Sequence, residues 1–217
     1  MNIIKLFTAT FCVMVFIAVL YGQRNQLAEN LTPVTRAEML ERAKLAAEHT
    51  WVCREQNTLA TCQQSKSYKS DFKAGETVRG IAYDWGGMDD PAKYDQKLAE
   101  GQAAGSHSRH GVTNCTTGID CSGFVSFCWK QPRKYGTSNL RQIAGKPKYN
   151  WFTDLKPGDV FNKAGSHVVM FVEYDGNGQP VVFEARGGKG KVVKNTRTWN
   201  QLKGYIPLQY KNVLEED

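Results

Sequence analysis

Asp120-Cys121-Ser122-Gly123-Phe124 places a cysteine where a polar loop meets an apolar run, Phe124 to Trp129. The run reads as a buried helix, so Cys121 stands at a helix N-terminus. Unpaired N–H groups and the helix dipole there favour a thiolate, the form that attacks carbonyl carbon. Asp120 fits the residue just outside the helix start. The backbone N–H of Ser122, or that of Cys121 itself, is a candidate oxyanion donor. His167 follows in a strand-like segment, Ser166 to Phe171. Cys first and His later, on separate elements, is the order of many cysteine hydrolases.

The elements that must hold these groups are a helix and then a run of strands. Thr35 to Glu38 is a capping box, and Met39, Leu40, Ala43, Ala47 and Trp51 recur at helical spacing. A helix is expected from Thr35 to about Val52. Residues 88–119 read as a long polar insertion with a helical stretch near Ala92–Ala103. Beyond the Cys121 helix, strands are expected after Pro157-Gly158-Asp159, at His167–Tyr174, at Pro180–Arg186, at Lys191–Thr196 and at Tyr205–Tyr210. Asp175 to Gly178 and Gly187 to Gly190 are turns. Helices first and an antiparallel meander afterwards indicate α+β.

Several segments occur in the order found in the NlpC/P60 cell-wall peptidases. They are Tyr83-x-Trp85-Gly86-Gly87, Asp120 to Phe124, Leu155-Lys156-Pro157-Gly158-Asp159, Ser166-His167-Val168 and Phe183-Glu184-Ala185. The chain resembles that family over roughly residues 75–190. The resemblance implies a papain-like fold and hydrolysis of peptidoglycan stem peptides, commonly at the γ-D-glutamyl–diaminopimelate bond. It implies Cys121 as nucleophile, His167 as general base and Tyr83 as a hydroxyl beside the nucleophile. The residue that orients the base is usually His, Asn or Gln. Here the matching place falls on Glu184, a departure that chemistry allows, because a carboxylate also holds an imidazole. An N-acetylmuramoyl-L-alanine amidase of the related CHAP type, an antibacterial effector and a silent wall-binding protein are the alternatives.

Residues 1–22 carry one charge, Lys5, and an apolar stretch from Leu6 to Tyr21. They read as a removed signal peptide or an uncleaved membrane anchor, and place the remainder outside the cytoplasm, in the periplasm or cell envelope. Residues 23–34 read as a linker, and residues 35–217 as one catalytic domain. Five cysteines follow the leader, an odd number. With Cys121 kept as nucleophile, Cys53–Cys62 is the natural local pair, which leaves Cys115–Cys128; the alternative is that some stay as buried thiols. The same oxidising setting argues against zinc at His107, His110, Cys115 and Cys121, and no metal or other cofactor is expected. The net charge of +7 suits an anionic polymer such as cell wall, or simple solubility. No arginine-rich run, zinc finger or RNA-binding signature points to nucleic acid.

Overall fold

The computed structural model describes residues 31–62, 67–106, 115–150 and 154–215. The leader expected at residues 1–22 lies outside them. Among the described residues no helix is long and apolar enough to cross a membrane.

Among the described residues, three α-helices and a mostly antiparallel set of strands form an α+β architecture. Helix α1 is Arg36–Glu48, α2 is Pro91–Ala99 and α3 is Cys121–Cys128. The six-stranded sheet comprises β1 (Ala144–Gly145), β2 (Val160–Lys163), β3 (His167–Tyr174), β4 (Pro180–Arg186), β5 (Lys191–Thr196) and β6 (Ile206–Tyr210). Its order is β5-β4-β3-β2-β6-β1, with every neighbour antiparallel. The Asp175 turn closes the β3–β4 hairpin through Asp175 N–H to Gln179 O and Gly178 N–H to Asp175 O.

Alternation along β3 separates two apolar layers. Val168 and Met170 join the main core, with Phe183 and Ala185 of β4 and Phe124 of α3. Val169 and Phe171 join a second core, with Val182, Phe161, Leu155 and Leu202. Helix α3 packs on β3 and β4, and α1 packs on α3 and β5. The main core already includes Leu31 and Val34, and Val34–Thr35 pairs in parallel with Val213–Leu214. The packed unit therefore includes residues from the stretch read as a linker.

The capping box at α1 is present: Glu38 N–H donates to Thr35 Oγ1 at 3.1 Å and Thr35 N–H to Glu38 Oε2 at 3.0 Å. The helix ends at Glu48, however, not near Val52. Thr50–Val52 instead pairs with Thr77–Arg79, and buried Trp51 meets Phe72 and Tyr94 edge-on. A strand partner thus competes successfully for residues whose spacing also fits a helix.

The stretch at 88–119 is tied to the body. Its helix is Pro91–Ala99, shorter than the Ala92–Ala103 reading, because Ala103–Ala104 pairs with Thr116–Thr117. Asp90 caps it, accepting from Lys93 N–H at 2.9 Å. Tyr94 and Leu98 turn its buried face to the main core. A disulfide joins Cys62 to Cys115, with Cα atoms 5.3 Å apart. This corrects both expected pairs, Cys53–Cys62 and Cys115–Cys128. Cys53 and Cys128 are free and fully buried, Cys128 within α3 among apolar side chains. Neighbours across space, not along the chain, decide which thiols can meet.

Candidate active site

Asp120 builds the start of α3. Its Oδ1 accepts from Ser122 N–H at 3.0 Å, Gly123 N–H at 2.7 Å and Ser122 Oγ at 2.9 Å. Its Oδ2 accepts from Gly86 N–H at 2.9 Å and from the Lys134 ammonium. One carboxylate thus locks together the helix start, the Tyr83–Gly87 turn and the loop after α3. The backbones are also in close contact. A Cβ on Gly123 would lie 2.0 Å from the Gly87 carbonyl oxygen, and one on Gly118 2.3 Å from that of Ala82. Only glycine permits such approaches.

Cys121, 7% exposed, is the first residue of this helix. Burial pushes its thiol up to about 12, and the Asp120 charge adds to the effect. The N–H groups of Val168 and Ser122 and the Lys134 ammonium pull the other way, and lose. The expectation of a thiolate favoured by the helix end is therefore corrected. Burial is the main reason, and the cap adds to it: Asp120 takes the Ser122 and Gly123 N–H groups and sets a negative charge beside the sulfur.

His167 opens β3, one residue before the amide that reaches Cys121. Its Nε2 lies 2.8 Å from Glu184 Oε2. The register pairs Met170 with Phe183, so Glu184 falls opposite Val169, on the face of the strand that carries His167. Glu184 is wholly inaccessible, and its two oxygens collect further donors. Arg197 Nε reaches Oε1 at 2.8 Å, Arg197 Nη2 reaches Oε2 at 2.5 Å, and Asn195 Nδ2 reaches Oε1 at 3.2 Å. Burial alone would raise this carboxyl, but hydrogen bonds from His167 and Arg197 outweigh it and hold it at about 2. An ionised Glu184 only accepts. Nε2 therefore carries its proton, and Nδ1 of the neutral ring carries the lone pair.

A groove of about 250 Å³ opens at Cys121, with Tyr83, Trp85, Ser122, Lys134, Asn139 and Ser166 among its walls. Tyr83 is buried, and desolvation, helped by the Asp120 charge, raises its phenol, which keeps it a neutral donor. None of the described residues between 88 and 119 lines this groove; residues 107–114, with His107 and His110, lie outside the described residues. Cys115, bonded to Cys62, is spent as a metal ligand. Trp85, 36% exposed, gives one wall an apolar surface.

The fold thus brings His167 and Glu184 into direct contact, sets Cys121 against the adjacent amide, and puts Tyr83 and Ser122 at the same opening. Sequence reasoning missed Arg197, Asn195 and Tyr205. Burial raises the Tyr205 phenol, which also feels the charges of Arg197 and Glu184 and lies within electrostatic reach of Cys121, so it stands near both halves of the site. Register was the available signal: Glu184 pairs with Val193, which puts 193, 195 and 197 on one face. Comparison with family models, with curated proteins and with solved structures gave no match.

Proposed function

We propose that this protein is an exported cysteine peptidase acting on the peptide stems of bacterial peptidoglycan, at the γ-D-glutamyl–diaminopimelate bond. The observation that carries the reading is the 2.8 Å contact of His167 with buried Glu184, one residue from the amide that meets the Cys121 thiol. The resemblance to NlpC/P60 peptidases supplies the substrate class. A disulfide at Cys62–Cys115 accords with an oxidising compartment.

The chemistry follows from the protonation states. The resting thiol is neutral, so a base must act as attack begins. His167 Nδ1 takes the proton while the Cys121 sulfur bonds to the amide carbonyl carbon. Glu184 stabilises the resulting imidazolium and keeps the ring oriented. Oxyanion stabilisation falls to the N–H of Cys121, a helix-start amide with no intrahelical acceptor, and to the Tyr83 hydroxyl. The Ser122 N–H is less suited, because Asp120 already holds it. The intermediate collapses, the C–N bond breaks, and the leaving amine takes the proton from His167. Water, deprotonated by the same ring, then hydrolyses the thioester and restores the thiol.

Digestion of purified peptidoglycan, with fragments identified by mass spectrometry, tests this. Stem cleavage that disappears in Cys121→Ala is the expected result. Intact stems, or undiminished cleavage by that variant, overturn it. Release of whole stems from muramic acid assigns the amidase activity instead, and binding without turnover assigns a wall-binding role.

A further inference from the structure

Arg197 joins the site through the buried carboxylate of Glu184. Its Nε and Nη2 each take a different oxygen of Glu184. This two-pronged geometry fixes the carboxylate plane as well as its charge. Its own placement is rigid: Arg197 N–H donates to Pro180 O at 2.9 Å, directly beyond the β4–β5 pairing that ends with Val181 opposite Thr196. Its side chain is 13% exposed and does not line the groove at Cys121. A surface ion pair that merely aids solubility would show neither burial nor this geometry.

We propose that Arg197 is a positioning residue for His167, acting through Glu184: the guanidinium fixes which carboxylate oxygen faces Nε2 and keeps that oxygen an acceptor. A carboxyl buried without Arg197 would tend to bind a proton. The protonated acid is an O–H donor, and pairs best with an Nε2 that has lost its hydrogen. The ring proton then moves to Nδ1, the nitrogen needed as base. Arg197 therefore selects the tautomer that can accept from sulfur. The negative charge on Glu184, shared between Arg197 and His167, also supports the imidazolium once the proton arrives. Asn195 holds only one oxygen, at 3.2 Å, and carries no charge to replace the guanidinium.

The inference rests on the reading of Cys121 and His167 as nucleophile and base, but not on the wall substrate. Alkylation of the full chain by iodoacetamide needs no peptidoglycan. The Cys121 sulfur bonds to the methylene carbon, iodide leaves, and the thiol proton passes to His167. Near neutral pH, Arg197→Met is expected to slow labelling of Cys121 by about tenfold, the scale of losing an outer partner of a working imidazole. Arg197→Lys, which keeps the charge but only one prong, is expected to fall between. Histidine ¹⁵N spectra, with His167 assigned by His167→Gln, should show the Nε2–H tautomer in the parent and a mixed or Nδ1–H state in Arg197→Met. Arg197→Lys serves as the deciding variant should Arg197→Met fail to fold. Parent-like labelling and an unchanged tautomer in the folded variants overturn the proposal. Those results leave the peptidase reading intact, whereas the expected tautomer change in Arg197→Met, with no wall cleavage by the parent, would remove the substrate and spare Arg197.

Discussion

The Cys121 thiol accepts from the backbone N–H of Val168, the residue that follows His167 in β3. The sulfur is thus anchored to the strand that carries its base. Burial, which raises the thiol to about 12, keeps it protonated until a base acts. Alkylation of Cys121 should therefore keep accelerating as pH rises through about 7 to 10. A flat, fast rate across about pH 4–7, the mark of a preformed thiolate–imidazolium pair, would contradict this electrostatic picture.

Glu184→Gln is expected to lower kcat/KM on peptidoglycan fragments by roughly 10²–10⁴-fold, as when a neutral amide replaces the acid behind a catalytic histidine. It also strands the buried Arg197 charge. Loss of one partner from a buried pair costs about 3–5 kcal/mol. Urea unfolding should show that loss in Glu184→Gln, and the double variant Glu184→Gln/Arg197→Met should regain part of it. Additive losses in the double variant would deny the coupling.

Stability should peak in mildly acidic solution, because two buried carboxyls act in opposite directions. Glu184 is held at about 2, below its ordinary 4.5. Its contribution is complete above about pH 4.5 and is lost as pH falls toward 2. Asp84 is raised from 3.8 to about 7, first by burial and then by the neighbouring Asp89 and Asp120 charges, against a hydrogen bond from Thr116 and the charge of Lys97. Its Oδ1 is buried with no hydrogen-bond partner among the described residues. The native state holds that proton longer than the unfolded chain, so stability falls as pH climbs from about 4 to 7. Asp84→Asn should flatten this upper limb, measured as urea midpoints at about pH 3, 5 and 8. Equal slopes in parent and variant would refute the assignment.

The Cys62–Cys115 bridge closes a sequence separation of 53 residues. A loop of that size stabilises by about 4 kcal/mol through restriction of the unfolded chain. Cys115→Ser is expected to melt lower by several degrees, and reductant should affect the parent but not the variant. Thiol labelling after denaturation without reductant should modify Cys53, Cys121 and Cys128 and spare Cys62 and Cys115. A labelled Cys115 would disprove the bridge.

Much of the sheet was legible because its signals are local. His167–Tyr174, Pro180–Arg186 and Lys191–Thr196 emerge with the bounds their glycine turns predict. The capping box at Thr35 and the cap at Asp120 are local as well. What escaped depends on distant partners. Trp51 fits the helical period of α1, yet its strand bonds come from Thr77–Arg79. The cysteine count shows that one thiol stays unpaired, but not that three do. Arg197 bears no mark in a chain with 28 basic residues; only the register of β4 against β5 brings it to Glu184.

The contact of Gly123 with the Gly87 carbonyl, and of Gly118 with that of Ala82, bears on mutational tolerance. A side chain at either glycine would have to displace main chain, and with it the cap that sets the Cys121 helix. A deep mutational scan selecting only for folded protein should find positions 118 and 123 nearly closed to substitution, while His167 and Cys121 stay open. Selection for hydrolysis should close all four. Distant kin of this chain would then keep the glycine spacing around Asp120-Cys121 even after its surface has wholly diverged, and that spacing is the pattern by which to look for them.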